Sequence, residues 1–289
     1  MVLKPWAAER AVDAALAREL IGRQFPQLAR ARVEPVGEGW DNTVFSVDGT
    51  YVFRFPRRRI AVQSIEREIV VLPQIAARLP LPIPVPEMIG APEDRFPWPF
   101  AGYRMLPGRT ADQAALSVDR RTAAAPTLAK FLRALHAVPL DAGRDSIDRL
   151  DATRLRDRTS EWLRELDLPP PPWFEEPVRA PVPRALVHGD LHARQILIDS
   201  AGAVCGVIDW GDVHFGDPAC DFAVAWTFLP PQGRAKFRSE YGSIDDDTWR
   251  LARLRGLHLS AALAVYARGI SDEQLFREAL AALDFVRIS

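Results

Sequence analysis

Two carboxylates and one amide, each beside a short apolar run, are the residues best placed for chemistry. Asp190 lies in Val187-His188-Gly189-Asp190-Leu191-His192-Ala193-Arg194-Gln195. Asp209 closes the run Val207-Ile208-Asp209-Trp210-Gly211, nineteen positions later (209 − 190). Phosphoryl transfer needs one acid to receive a hydroxyl proton and a second to hold the metal that bridges nucleotide phosphates. Gln195, an amide, stands five positions after Asp190. A hairpin would present both acids at one end of a small sheet.

The elements that must position these residues follow from periodicity. Helices are predicted at 7–25, on the face of Val12, Leu16 and Leu20, and at 61–79, on Ile65, Ile69, Leu72, Ile75 and Leu79. Strands are predicted at 33–36, 43–47 and 51–55, with Asp48-Gly49 as a tight turn. The proline run from Pro80 to Pro86 ends the second helix. Strands near 87–90 and 102–106 follow, and Pro107-Gly108 marks a joint. Beyond it, helices are predicted at 119–137, 152–167, 221–229, 232–241, 247–268 and 273–286. The strands around the acids are 185–187, 196–198 and 204–208, with Ser200-Ala201-Gly202 as a turn. The predicted class is α+β, with residues 1–106 as a small lobe around an antiparallel sheet and residues 107–289 as a larger, mostly helical lobe.

With these motifs the chain resembles the aminoglycoside phosphotransferase family, small-molecule kinases of the protein-kinase-like fold. His188-Gly189-Asp190-Leu191-His192 and Ile208-Asp209-Trp210 carry the resemblance, which runs from about Val33 to the C-terminus. It implies that Asp190 orients the acceptor hydroxyl and takes its proton, and that Asp209 and Gln195 hold Mg²⁺. ATP or GTP would be the phosphoryl donor, bound by residues 1–106. Residues 107–289 would carry catalysis and the acceptor site. Arg54 stands on the third strand where such kinases usually have Lys, to fix the phosphates, with Glu68 as its helix partner and Glu66 as the competing choice. Val52 and Arg54 share a strand face opposite Phe53 and Phe55. Gly37 and Gly39, in Gly37-Glu38-Gly39-Trp40-Asp41-Asn42, stand where a phosphate-covering loop belongs, although a hairpin turn accounts for the same residues. Tyr103 and Met105 belong to a hinge, 103–106, that reads the purine with its backbone. Gln195 departs from the family's usual Asn. Arg54, Gln195 and the prolines of 79–84 look like macrolide kinases and aminoglycoside kinases acting on the 2″ hydroxyl. The implied acceptor is therefore a hydroxyl of an antibiotic, aminoglycoside or macrolide. Choline, homoserine and amino-sugar kinases share the fold, and Gln195 leaves room for a nucleotide-binding protein with little catalysis.

Bulk properties narrow the alternatives. The chain has 289 residues, 48% of them apolar, and a formal net charge of −1. That balance gives no general attraction for nucleic acid or anionic lipid. No run of about 18 apolar residues predicts a membrane span, and the N-terminus has no apolar signal core. Two cysteines, Cys205 and Cys220, suit a cytoplasmic protein without a disulfide framework. The expected partners are a nucleoside triphosphate and a small-molecule substrate; oligomeric state leaves no mark in the sequence.

Other reactive residues have plainer readings. His188 and His192 are four apart, but a turn between them is a poor zinc site. His136 reads as a packed or capping histidine, and Asp217 as a helix cap ahead of Pro218. Asp212 reads as a loop acid or a support for its neighbours. Asp221 either braces the loop of Asp190 or lies on a helix surface. Glu175-Glu176 and Asp245-Asp246-Asp247 are candidate acids for a polycationic acceptor, or simply a solvated face and a helix start. Trp162, Trp173, Phe174, Trp226 and Phe228 could wall an apolar acceptor site or belong to the core.

Overall fold

The computed structural model describes residues 8–39, 41–145 and 147–288. It divides into two compact units. One runs through Ala77 and adds Ile83–Leu106 and Asp209–Gly211; the other takes Arg78–Pro82, Pro107–Ile208 and the chain from Asp212.

The first unit begins with α1 (Ala14–Gln24), capped by Asp13, whose carboxylate accepts from Leu16 N at 2.8 Å. This helix is shorter than predicted. Residue 7 lies outside the described residues, residues 8–13 are not helical, and Val12 is buried ahead of the helix. Next come β1 (Val33–Glu38), β2 (Asn42–Val47), β3 (Tyr51–Pro56), α2 (Arg59–Ile75), β4 (Pro86–Gly90) and β5 (Phe100–Arg104). All pairings are antiparallel, in the order β1-β2-β3-β5-β4. Asp48 and Gly49 turn the chain between β2 and β3 with φ of 51° and 60°. The second helix stops short of Leu79. Ala76–Arg78 tightens to a 3₁₀ turn, and the residue before Pro80 is disfavoured in helical geometry. Likewise β5 lies two residues earlier than predicted, since its register is set by β3: Arg54 pairs with Ala101 and Val52 with Tyr103.

Period-two alternation sorts the side chains of β3. Phe53 and Phe55 face a core with Phe45, Phe96, Phe100 and the apolar side of α1, and the Phe55 and Phe100 rings stack at 4.5 Å. Arg54 faces the other way. There Ile65 of α2 packs on Ala101 and Tyr103. A strand arginine is thereby aimed at a buried helix face, and it needs a partner there.

The second unit contains β6 (Arg109–Thr110), α3 (Val118–His136), α4 (Ala152–Glu165), β7 (Ala185–Val187), β8 (Ile196–Ile198), β9 (Val204–Val207), β10 (His214–Gly216), α5 (Ala219–Thr227), α6 (Pro231–Tyr241), α7 (Asp246–Gly269) and α8 (Glu273–Arg287). Helix α7 packs against α4, α5 and α8, and α3 against α6. Every residue of α5 is buried, as befits a helix that is apolar apart from Asp221 and Thr227. The strands differ from expectation in their partners. β8 and β9 form the predicted hairpin and β6 joins them, but β7 pairs with β10, a strand the sequence did not reveal. Three-residue strands carry too little periodicity to be distinguished from loops. Among the described residues no helix is long and apolar enough to cross a membrane.

Candidate active site

In the first unit Arg54 binds two acids. Its Nη1 donates to Glu68 Oε1 and its Nη2 to Asp209 Oδ1, each at 2.8 Å. Tyr103 Oη donates to the other oxygen of Glu68 at 2.7 Å. Glu66, the competing partner, is exposed. The Glu68 side chain is 0% exposed and that of Arg54 16%. Burial pushes the Glu68 carboxyl up, and Arg54 and the Tyr103 hydroxyl draw it back. Burial likewise opposes the charge on Arg54, but Glu68 and Asp209 outweigh it and hold the guanidinium pKa above its ordinary value. Tyr103 is held well above the usual phenol range by burial and by Glu68. Lysine, a point charge, could not span both acids as this fork does.

Asp209 is held differently from its neighbours. Its φ is 65°, a left-handed conformation that costs a non-glycine residue energy, and its side chain is 50% exposed. Gly211, two residues on, passes close to α2: an added Cβ would stand 3.3 Å from Ser64 Cβ and 3.4 Å from Glu68 Oε1. Gly37 and Gly39 sit at the end of β1 and just beyond it. Gly39 N donates to Asn42 O at 2.9 Å, and Arg57 Nη1 donates to Gly39 O at 2.8 Å. Neither glycine has positive φ, and an added Cβ at Gly37 would meet nothing within 4 Å, so packing does not demand glycine there. Trp40 of the same stretch lies outside the described residues. In residues 103–106 Tyr103 points into the buried cluster, while Met105 is 38% exposed and donates its N–H to Thr50 O at 2.8 Å.

In the second unit Asp190 follows β7 on a loop fixed from below. Asp221, on the wholly buried α5, accepts from His188 N at 2.8 Å and from Gly189 N at 2.9 Å. It also lies 3.1 Å from His136 Nε2, whose other ring nitrogen meets Tyr241 Oη at 2.9 Å. Burial would raise the Asp221 carboxyl; His136, His188 and the Gly189 amide hold it below the usual range. Gly189 has φ of 91°, and a Cβ there would stand 2.3 Å from Asp212 O, so only glycine turns the chain here.

Asp190 itself keeps a 32% exposed side chain. His192 Nε2 stands 3.6 Å from its Oδ2 and Arg255 Nη2 3.5 Å from its Oδ1. Burial works to raise its pKa, but His192, Arg255 and Arg149 prevail and hold it well below the usual carboxylate range. Asp190 is thus ionised and able to accept at neutral pH. Arg149 is fixed by ion pairs to Asp145 and Asp212, which gives Asp212 a supporting place. Gln195 is buried, and its Oε1 has no hydrogen-bond partner. Its backbone carbonyl accepts from Ile208 N at 2.9 Å, which ties it to the segment just before Asp209.

Mg²⁺ takes one or two protein oxygens and completes its shell with phosphates and water. In the second unit the orphaned buried amide oxygen of Gln195 is a donor of that kind, and in the first unit so is the half-exposed carboxylate of Asp209. Among the described residues no group of three or more His, Cys, Asp or Glu could hold a metal, so a cage built wholly of such residues does not suit. His188 Nε2 lies 3.1 Å from Ile208 O.

Several sequence readings resolve. Asp217 accepts from Ala219 N at 2.9 Å, although helix α5 starts one residue later than Pro218. Asp245 caps α7 by accepting from Thr248 N, and Asp245, Asp246 and Asp247 pair with Arg184, Arg238 and Arg250. Phe174, Trp226 and Phe228 are core residues. Trp173 is partly exposed under the Arg253 guanidinium, 4.1 Å from its ring centroid. Both cysteines are free. Two neighbours of Asp190, Arg149 and Arg255, escaped the sequence reading, because nothing separates them from the chain's many surface arginines. Asp221 left a signal: a lone acid inside the apolar run Ala219–Thr227 must be either paired or misplaced.

Residues 32–257 match the model of the APH phosphotransferase enzyme family. The chain belongs to that family and is a phosphotransferase of the kinase type. It is 27% identical over 257 residues to the uncharacterized protein YcbJ of Bacillus subtilis (strain 168), covering 77% of this chain and 78% of that one. It is 31% identical over 100 residues to the viomycin phosphotransferase of Streptomyces vinaceus, covering 33% and 34%. A GDP complex of an aminoglycoside 2′-phosphotransferase matches with a TM-score of 0.71, 24% identity and coverage of 96% and 99%. A macrolide 2′-phosphotransferase from Brachybacterium faecium matches with a TM-score of 0.58, 21% identity and coverage of 94% and 98%. The two-lobed protein-kinase-like fold is therefore established.

Proposed function

We propose that this phosphotransferase moves the γ-phosphoryl group of ATP or GTP to a hydroxyl of a small molecule of the antibiotic class. Residues 1–106 bind the nucleotide and residues 107–289 carry catalysis and the acceptor. The observation that carries this reading is the Arg54 fork, a partly buried guanidinium oriented by Glu68 and shared with Asp209. A fixed fork of that kind matches phosphate oxygens. The GDP and antibiotic complexes among the structural neighbours support the same assignment.

The roles follow from chemistry. Arg54 orients the phosphates. Asp209 and Gln195 would each offer an oxygen to Mg²⁺, which when bound would offset the charge that develops on the transferred group. Asp190, kept ionised by its cationic neighbours, aligns the acceptor oxygen in line and takes its proton as the new P–O bond forms. The phosphoryl group leaves the nucleoside diphosphate in the same step. Gly37 and Gly39 cover the phosphates, and the backbone around Tyr103 and Met105 meets the purine.

The test combines binding and turnover. ATP or GTP with Mg²⁺ should raise the melting temperature by mass action. Phosphorylated kanamycin or erythromycin should form with wild type, and about 10²–10⁴-fold more slowly with Asp190→Ala. Absence of any nucleotide shift, or equal product from both proteins, would refute the assignment.

A further inference from the structure

Arg54 bridges two acids of unequal freedom. Glu68 is 0% exposed, and its second oxygen accepts from Tyr103 Oη at 2.7 Å. That carboxylate is held from both sides and cannot follow a moving partner. Asp209 is 50% exposed and has a φ of 65°. Among the described residues Nη2 of Arg54 is the one donor its side chain meets, at 2.8 Å. The guanidinium is therefore anchored through Nη1, while Nη2 holds the carboxylate that the proposed chemistry gives to a metal.

The two duties of this side chain conflict. A guanidinium on a carboxylate is a strong, charge-assisted pair. While the pair lasts, the single negative charge of Asp209 is already matched, and the carboxylate attracts a divalent cation less. Triphosphate oxygens alter that balance. They are anionic acceptors of the kind a fork prefers, and they offer Nη2 a second partner without loosening Nη1 from Glu68. We infer that Arg54 guards the metal ligand: as the counter-ion of Asp209 it keeps the carboxylate's affinity for a divalent cation low, and nucleotide phosphates lift that restraint by drawing Nη2 to themselves. This inference rests on Asp209 being a metal ligand. Nucleotide and metal then favour each other's binding, by linkage.

Arginine makes the device possible. Its donors lie in one rigid plane and point to different partners, so one bond exchanges while the other stays. A lysine at this place would carry its charge on a single nitrogen. It would settle on Glu68, where an unpaired buried carboxylate is most costly, and leave Asp209 open. The strand itself does not move. β3 is the middle strand of the sheet, and Arg54 is paired with Val44 on one side and Ala101 on the other. The exchange is thus confined to the end of one side chain.

Mn²⁺ probes the carboxylate, because it favours the same oxygen ligands as Mg²⁺ and its paramagnetic resonance signal reports the free ion. Titrations are run on the whole protein without nucleotide. The wild type should bind Mn²⁺ weakly. In Arg54→Lys the midpoint should fall by about tenfold or more, and at least as far in Arg54→Met with Glu68→Gln, which removes both charges of the anchored pair. Adding Asp209→Asn to Arg54→Lys should abolish the gain. Should the Met and Gln double variant fail to fold, Arg54→Lys decides alone. Equal midpoints in wild type and Arg54→Lys, or no binding by either, would overturn the inference. The metal role of Asp209 would survive that outcome if the melting shift with ATP still needs Mg²⁺ in the wild type and loses that need in Asp209→Asn. A gain that persists after Asp209→Asn would instead remove Asp209 from the metal site, and the inference with it.

Discussion

Replacing Asp221 with Asn tests how the loop of Asp190 is held. The carboxylate receives His188 N on one oxygen and Gly189 N on the other, at 2.8 and 2.9 Å, and it is fully buried. Asn has nearly the same shape but only one acceptor. Its amino group must face one of the two amides, so one buried N–H is left without a partner. Losing a hydrogen bond to a charged acceptor costs about 1.5–3 kcal/mol. The surviving bond also loses its charge assistance, a further ~0.5–1 kcal/mol. Relief from burying a carboxylate offsets part of this, leaving a net loss of about 2–3 kcal/mol. Urea unfolding at neutral pH measures that loss, and hydrogen exchange locates it at the amides of His188 and Gly189. A double-mutant cycle with His136→Gln should give a coupling of about 0.5–3 kcal/mol, because both residues share one buried contact. A stability change under about 0.5 kcal/mol, with exchange unchanged at both amides, would mean that Asp221 does not brace the loop.

Arg54→Ala should destabilise by about 3–5 kcal/mol, because it leaves Glu68 as an unpaired buried carboxylate. Arg54→Met with Glu68→Gln should recover part of that loss in denaturant unfolding. Gln195→Leu removes a buried oxygen that has no partner, so stability should hold or rise by up to ~1 kcal/mol. Thermal shifts with nucleotide should nevertheless become less dependent on Mg²⁺; an unaltered Mg²⁺ titration would remove Gln195 from the metal site. His258 is held down to about 3 by burial and by Arg255, Arg154 and Arg158. The unfolded chain therefore binds the extra proton, and stability falls as pH drops from about 6.5 towards 3. His258→Gln should flatten that slope in a melting series across the window; an identical slope in both proteins would show that other groups set it.

Local pattern alone determined much of this protein. Alternation in Tyr51-Val52-Phe53-Arg54-Phe55 placed Arg54 opposite the phenylalanine core, which depends only on side-chain direction within one element. The family resemblance left Glu68 and Glu66 as its possible partners. The boundaries of the six C-terminal helices were also legible, to within two residues, because caps and apolar spacing are local. Tertiary structure decided the rest. Burial chose Glu68 over Glu66, a choice made by the packing of α2 on β5. The pairing of β7 with β10 depends on residues far apart in the chain, and three-residue strands carry no periodic signal of it. The surroundings of Asp190 come from α7 and from the loop before α4. Arg255 and Arg149 acquire meaning only when the chain brings them to a carboxylate remote in sequence. A side chain's charge and direction are local properties, whereas its partners and its desolvation belong to the folded whole.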